Sequence, residues 1–384
     1  MTASNYANQR GMIYVHVPFC ASRCCIYCDF FSTTQTDEWK QRYVEAACRE
    51  LTIRTTELSH AVIASIYIGG GTPSQLRSDQ IQAILEKIYE KYRVDEKAEI
   101  TLEANPDDVT KEFVSNIRRM GINRVSLGVQ SFDDELLKLL NRRHNALGAV
   151  NAVKTLVEGG VDNVSIDLIY GLPQQTEKMF ALDLRKAFSL PIRHLSSYAL
   201  SIEHDTMMAR MLQRGDISLP TEETSVREYN MLMSAAEAHG FEHYEISNFA
   251  LPHFHSLHNS GYWNGMPYIG IGPGAHSFHD NVRRHNLPNL IQYADSDGYP
   301  PYEEEILTID EQYDEFVFTS LRTKKGLSLQ RLSEVFGSTA LNYLLKNAKP
   351  HLLSHRLIQE DGFLSIAKES IMISDDIMSD LMKG

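Results

Sequence analysis

The chain has 384 residues, of which 43% are hydrophobic and 23% charged, and its formal net charge is −13. This composition excludes a wholly disordered chain, and it argues against nucleic-acid binding, which needs a basic surface. No apolar run approaches the roughly 18–20 residues that span a bilayer, and residues 1–12 have no apolar signal core. We therefore expect a cytoplasmic protein without a transmembrane segment, while a peripheral membrane contact and a homodimer stay open.

In the first two hundred residues, short β-branched stretches alternate with longer stretches of helical period. The predicted strands are 12–17, 64–68, 99–104, 124–127, 163–168 and 194–200, and the predicted helices are 36–58, 78–92, 110–120, 146–159 and 175–190. Six strands separated by helices predict an α/β fold with a parallel sheet, as either an open doubly wound sheet or a barrel.

After residue 200 the pattern changes. It predicts a helix at 222–239, a short strand at 244–248, a loop rich in His, Asn and Gly at 252–279, and helices at 310–323, 328–336 and 339–349. The Pro300-Pro301 turn is a plausible boundary. We therefore predict a core at 1–300 and a smaller, mostly helical C-terminal domain at 301–384.

Four of the five cysteines lie within nine residues directly after the first predicted strand: Cys20, Cys24, Cys25 and Cys28. In a reducing compartment, such a group is more often a metal or redox site than a disulfide framework. Thiolates at close spacing hold iron–sulfur clusters. A structural zinc site and a dithiol redox pair are the alternatives, although zinc usually takes a distant second pair of ligands.

The cysteine loop resembles the Cys-x3-Cys-x2-Cys motif of the radical S-adenosylmethionine (SAM) enzymes. Its flanks, residues 14–20 and 27–30, resemble the group that contains oxygen-independent coproporphyrinogen III dehydrogenase and the HemW haem chaperones. The resemblance implies a [4Fe-4S] cluster, SAM and a six-stranded partial (β/α) barrel. This loop is one residue longer than the motif, so no three cysteines keep both spacings. We assign Cys20, Cys24 and Cys28 to the cluster, with Cys25 as the alternative to Cys24.

Other polar residues follow the later strands, where parallel α/β folds keep their active sites. The resemblance implies that SAM is held by Tyr14, Tyr27, Gly70, Gly71, Thr72, Glu103, Gln130, Arg142, Asp167 and Ala199. The chemistry agrees, since Arg142 can pair with the methionine carboxylate and Asp167 can accept hydrogen bonds from ribose hydroxyls.

Residues 258–263, His-Asn-Ser-Gly-Tyr-Trp, resemble the His-Asn-x-x-Tyr-Trp motif of HemW, which is associated there with haem binding. The resemblance assigns haem to His258, Asn259, Tyr262 and Trp263. The dehydrogenase has a further cysteine shortly after its third ligand, whereas Asp29 follows Cys28 here. It also has a longer N-terminal arm, whereas only eleven residues precede the first predicted strand in this sequence. Both differences favour the chaperone over the dehydrogenase.

These features together predict a haem chaperone. It would bind haem and deliver it to an unidentified acceptor protein, using the cluster and SAM, without coproporphyrinogen dehydrogenase activity. The main alternative is the dehydrogenase itself, which oxidatively decarboxylates propionates. A haem-degrading radical methyltransferase relative and a zinc-stabilised interaction domain are further alternatives.

Overall fold

The computed structural model describes residues 10–21, 25–28, 30–204 and 206–384. Strands and helices alternate through its first half. These elements are β1 (Arg10–Val17), α1 (Asp37–Ile53), β2 (Val62–Gly70), α2 (Ser78–Lys91), β3 (Val94–Ala104), α3 (Lys111–Arg119), β4 (Arg124–Gln130), α4 (Asp134–Leu139), α5 (Ala146–Glu158), β5 (Asn163–Tyr170), α6 (Glu177–Phe188) and β6 (His194–Ala199). All six predicted strands and all five predicted helices of this region are confirmed, and α4 is an additional helix.

The helices form because their apolar residues recur on one face. In α2, Ile81, Ile84, Leu85 and Ile88 are buried in the main hydrophobic core, while the opposite face is charged. The strands are buried nearly throughout, as expected of parallel strands that are covered on both sides.

Strands β1 to β6 are parallel neighbours in sequence order. Further strands extend both edges of this array, so the edges do not pair with each other within the described residues. The predicted partial barrel is therefore confirmed. The elements that follow β6 are α7 (Met207–Gln213), α8 (Glu222–Ala238), β7 (Glu242–Glu245), β8 (Asn248–Ala250), α9 (Leu257–Trp263), β9 (Tyr268–Ile271), β10 (His276–His279), β11 (Val282–Asn286), α10 (Leu290–Ala294) and β12 (Tyr302–Ile306).

The edge strands come from both sides of α9. Strand β9 lies parallel to β1 and continues into antiparallel β10, β11 and β12, whereas β8 and β7 pair antiparallel beyond β6. The predicted strand at 244–248 is wrong in its extent, because the chain turns between β7 and β8 there.

The predicted loop at 252–279 is also wrong, since it contains α9, β9 and β10. Helix α9 begins after Ser256, whose side chain accepts a hydrogen bond from the Asn259 N–H. The Glu99 carboxylate accepts hydrogen bonds from the Ser256 hydroxyl and from the Leu257 and His258 N–H groups at 3.0–3.2 Å. Asn, Ser and Gly are weak helix formers, so this long-range cap supports the helix where local propensity does not.

The C-terminal part has a hydrophobic core of its own, around Tyr313, Val317, Leu332, Leu344 and Leu364. Its elements are α11 (Ile309–Leu321), β13 (Leu327–Ser328), α12 (Leu329–Leu353), β14 (Leu357–Glu360), β15 (Phe363–Ile366) and α13 (Ser374–Leu381). It is mostly helical, as predicted, with a small antiparallel sheet added.

Helix α12 is kinked at Gly337, where φ is +82°, between the two helices that the sequence predicts there. The domain boundary at residue 300 stays a prediction, and β12, which follows it, still pairs with β11 of the large sheet. No helix in the described ranges is both long and apolar enough to cross a membrane.

Candidate functional site

A cavity of about 400 Å³ opens at the carboxyl ends of the barrel strands. The sequence predicted that the unusual residues of five separate segments would meet at this edge, and most of them do. The predicted site residues that line the cavity are Cys20, Cys25, Tyr27, Cys28, Gly70, Gly71, Thr72, Glu103, Gln130, Arg142 and Asp167.

Three of the residues predicted to hold the cluster or SAM are not among those that line it. Cys24 lies outside the described residues. Ala199 is exposed near the end of β6, and its neighbour Tyr198 lines the cavity instead. Tyr14 lies deeper in the barrel, where its hydroxyl is 3.0 Å from His16 Nδ1 and its ring is 6.1 Å from that of Tyr67. All the assigned SAM contacts stay predictions, those of Tyr14 and Ala199 among them.

Hydrogen bonds within the cysteine loop and to neighbouring side chains hold its described residues in place. The Cys28 N–H donates a hydrogen bond to the Cys25 carbonyl at 3.2 Å, which closes a turn and places both side chains on the cavity. The Thr72 hydroxyl donates to Cys20 Sγ at 3.7 Å, and Arg142 Nη1 donates to Cys25 Sγ at 3.0 Å. The loop therefore presents three sulfur atoms to one space, with a cation beside them.

Arg142 is fixed in place by neighbouring oxygen atoms. Its Nη2 donates to Asn105 Oδ1 and to the Gly128 carbonyl, each at 2.6 Å. Its Nε is buried and has no hydrogen-bond acceptor within the described part of the chain. A buried guanidinium donor without an acceptor is costly unless a ligand supplies one, and a carboxylate is the ligand that suits it best.

Two partly buried carboxyl groups, those of Glu103 and Asp167, also line the cavity. Glu103 accepts hydrogen bonds from the Tyr67 hydroxyl at 2.6 Å and the Gly70 N–H at 3.1 Å, and Asp167 accepts one from Ser126 at 3.3 Å. Burial raises the pKa of Glu103 to about 7, and the charge of Asp167 also raises it. Burial likewise raises the pKa of Asp167 to about 6. Each group is thus poised to bind a cationic or hydroxylated ligand near neutral pH.

The raised pKa of Glu103 predicts a pH-dependent stability in protein prepared without SAM. The folded pKa is about 7 and the ordinary value is 4.5, so the folded state binds more protons between these values. The free energy of unfolding of the wild type, relative to Glu103→Gln, should fall as the pH rises from about 4.5 to about 7. The change should be on the order of 1–3 kcal/mol. Denaturant titrations of both proteins at several pH values would measure it, and a difference that does not change with pH would contradict it.

The glycine run at the end of β2 passes very close to the end of β1 and to the residues that follow it. A Cβ on Gly71 would lie 2.8 Å from the Phe19 carbonyl oxygen, and one on Gly70, where φ is +110°, would lie 2.7 Å from His16 Nδ1. Gly71 is therefore required by backbone packing and Gly70 by its positive φ. This close approach also brings Thr72 next to Cys20.

Sequence reasoning missed several cavity residues, among them Asn105, Ser126, His144 and Tyr198. Asn105 follows the predicted third strand and Tyr198 lies late in the sixth, so strand-end position was the available signal. No local signal marked His144. It is buried with its Nε2 3.1 Å from the Val129 carbonyl oxygen, and burial lowers its pKa to about 4.

The haem-motif residues lie at the opposite end of the barrel, on α9. His258 is only 1% exposed. Its Nδ1 is 2.8 Å from the Ser65 hydroxyl and its Nε2 is 2.9 Å from the Tyr262 hydroxyl. Burial lowers the pKa of His258 to about 3, so the imidazole is neutral. For either ring nitrogen to bind iron, a buried hydrogen bond would first have to break.

The rest of the motif extends from this buried position towards the surface. Asn259 is half-buried, and the Tyr262 ring packs edge-on against Tyr268 at 4.7 Å. Trp263 lies at the end of α9, with the Arg322 guanidinium 4.8 Å from its ring centre. The assignment of His258, Asn259, Tyr262 and Trp263 to haem stays a prediction.

Comparison with known proteins places these sites in context. The Radical SAM superfamily matches residues 14–187, and the HemN C-terminal domain matches residues 307–375. The superfamily implies a [4Fe-4S] cluster and SAM. The cavity fits both, because three cysteine sulfurs face it beside a buried arginine donor that lacks an acceptor.

Similar proteins cover nearly the whole chain. The heme chaperone HemW of Lactococcus lactis is 35% identical over 352 residues, which are 91% of this chain and 90% of that protein. HemW of Bacillus subtilis is 34% identical, over 84% of this chain and 86% of that protein. Among solved structures, coproporphyrinogen III oxidase (HemN) of Escherichia coli superimposes with a TM-score of 0.85 at 23% identity, covering 98% of this chain and 91% of that one. This last likeness shows the fold.

Proposed function

We propose that this chain, which belongs to the HemW family of radical SAM proteins, is a haem chaperone that binds haem and delivers it to an acceptor protein. The observation that supports this most strongly is likeness to heme chaperone HemW proteins along almost the whole chain. The cavity at the carboxyl end of the barrel supports the use of a [4Fe-4S] cluster and SAM.

Different residues of the cavity would bind the cluster and SAM. Cys20, Cys28 and one of the two middle cysteines would ligate the cluster. Arg142 would bind the methionine carboxylate through its free Nε, while its other nitrogens keep it in place. When bound, the cluster supplies an electron for SAM cleavage.

The carboxyl groups would bind the remaining polar groups of SAM. Glu103 would face an ammonium group and Asp167 the ribose hydroxyls, and a cationic ligand would return the pKa of each carboxyl group towards its ordinary value. Tyr67 holds Glu103 in place from within the barrel.

Haem and an acceptor protein are the partners in this proposal, and the acceptor is unidentified. A cytoplasmic location belongs to the same proposal. The homodimer that the sequence allows stays a prediction.

An anaerobic haem titration of cluster-loaded protein, followed by absorbance, tests the proposal. We expect saturable binding near one haem per chain, followed by transfer to an apo-haem protein on mixing. The same preparation should leave coproporphyrinogen III unchanged in the presence of SAM and a reductant.

Two results would count against it. Conversion of coproporphyrinogen to a decarboxylated product would favour the dehydrogenase. Zinc in place of iron and acid-labile sulfide would favour a zinc-stabilised interaction domain.

A further inference from the structure

A second cavity lies at the end of the barrel opposite the cysteines. Residues of β7 and α9 form one of its walls, and residues of the C-terminal part form the other. Its volume is about 790 Å³, which falls within the roughly 300–1,000 Å³ typical of cofactor pockets. Two backbone hydrogen bonds join the barrel side to the C-terminal part, from Lys324 N to the Tyr244 carbonyl at 3.1 Å and from Ile246 N to the Arg322 carbonyl at 3.2 Å. We call this cavity the interdomain cleft.

Aromatic rings make up much of the cleft wall. Trp263 lines it from α9, and Phe316, Phe336 and Phe363 line it from the C-terminal part. The Phe316 and Phe336 ring centres are 5.7 Å apart. Trp263 Nε1 is buried and has no acceptor among the described residues. Flat apolar surfaces beside a donor without an acceptor suit a planar, mainly apolar ligand that carries hydrogen-bond acceptors.

The cleft also has an excess of unpaired positive charge. Lys324, Lys325 and Arg331 line it, and none of them forms a salt bridge within the described part of the chain. Two carboxylates line it as well. Glu315 is paired with Arg283 and so already has a cationic partner, while Glu242 lies within hydrogen-bonding distance of His255. The three remaining cations match a ligand with carboxylate groups.

One residue of the cleft can ligate iron through an imidazole. Among the described residues that line the cleft, His255 is the only histidine. Its Nε2 is 2.8 Å from Glu242 Oε2, and its ring stacks on Tyr244 at 4.3 Å. A carboxylate that accepts a hydrogen bond from one imidazole nitrogen commonly orients a metal-ligating histidine, and here it leaves Nδ1 for the metal.

We infer that haem binds in the interdomain cleft, with His255 as a ligand to the iron and the propionates directed to Lys324, Lys325 and Arg331. This inference rests on the proposed function, and it places haem at the opposite end of the barrel from the cluster and SAM. Trp263 would then be the haem-motif residue that contacts the macrocycle, while His258 supports the helix that carries it.

Haem titrations of the full-length, cluster-loaded chain test the location. We compare the wild type with His255→Ala and with the double variant Lys324→Glu/Lys325→Glu. The matched control is Lys346→Glu/Lys349→Glu, which makes the same change of charge on α12 outside the residues that line the cleft. Ferric haem is the probe, and the Soret band and the apparent Kd are the readouts.

His255→Ala should shift the Soret band and weaken haem binding by roughly 10–100-fold or more, since loss of a residue that only orients a metal ligand already has an effect of this size. The lysine double variant should weaken binding while leaving the band position unchanged, and the control should match the wild type. Thermal denaturation of each variant shows whether it is folded.

Unchanged haem binding in both cleft variants would overturn the location and leave the proposed function intact. Absence of saturable haem binding by the wild type would overturn the proposed function itself, and the location with it.

Discussion

Cys25→Ala should abolish cluster binding, whereas Cys24→Ala should retain it. The sequence slightly favoured Cys24, on the spacing from Cys20. The structure supports the alternative, because Cys25 lines the same cavity as Cys20 and Cys28 and its sulfur is 3.0 Å from an Arg142 nitrogen. Cys24 lies outside the described residues, so the prediction rests on the position of Cys25.

A cluster with three protein ligands loses a whole iron–thiolate bond when one of them is removed, so the expected effect is close to complete. Cys20→Ala and Cys28→Ala should show the same loss. Iron and acid-labile sulfide, measured after anaerobic reconstitution, report the result without any assay of activity.

Cys48→Ala is the matched control, because this cysteine lies on α1 and its sulfur donates to the Ala83 carbonyl at 3.7 Å. It should bind a full complement of iron. Equal losses in the Cys24 and Cys25 variants would contradict the prediction, and a loss in the Cys24 variant alone would restore the assignment made from the spacing.

His258→Ala should destabilise the fold strongly while leaving the affinity for haem within about twofold of the wild type. The imidazole is buried between the hydroxyls of Ser65 and Tyr262, and its ring centre is 5.0 Å from that of Tyr67. Truncation leaves a void and two hydroxyls without their partner. We expect the free energy of unfolding to fall by on the order of 3 kcal/mol.

His255→Ala is the complementary control, since this side chain is 37% exposed and forms one hydrogen bond to a surface carboxylate. It should change the unfolding free energy by less than about 1 kcal/mol and weaken haem binding. The two histidine variants are therefore expected to have opposite effects: His258→Ala lowers stability but not haem affinity, and His255→Ala lowers haem affinity but not stability. A His258→Ala protein of normal stability that fails to bind haem would contradict this prediction and favour direct ligation by His258.

The low pKa of His258 adds a pH dependence with a definite sign. The folded pKa is about 3 and the ordinary value is 6.5, so the unfolded state binds more protons between these values. The stability that depends on the neutral imidazole is complete above about pH 6.5 and is lost as the pH falls towards 3. The denaturation midpoint of the wild type should therefore fall more steeply on acidification than that of His258→Ala.

The alternation of strands and helices was readable from the sequence because each element of the barrel carries its own signal. Apolar residues recur with helical period in α2, and β5 is a short β-branched run. Because parallel strands end on the same side of the sheet, the sequence alone predicts that strand-end residues as distant as Cys20, Glu103 and Asp167 lie at one site.

Helix α9 shows why some elements outside the barrel could not be predicted from the local sequence pattern. Its residues suggested a loop, and it is a helix because Glu99, which lies more than 150 residues earlier, caps its first turn. His258 looked like a haem ligand by motif, yet the fold buries both ring nitrogens in hydrogen bonds.

Spacing and periodicity along the chain were sufficient to predict the cysteine loop, the alternation of strands and helices in the barrel, and the residues at the strand ends. The folded structure was needed to show that Cys25 lines the cavity, that His258 is buried, and that a second cavity forms between the barrel and the C-terminal part. Those features depend on contacts between segments far apart in sequence, since burial, long-range capping and the matching of charges arise only when the chain is packed.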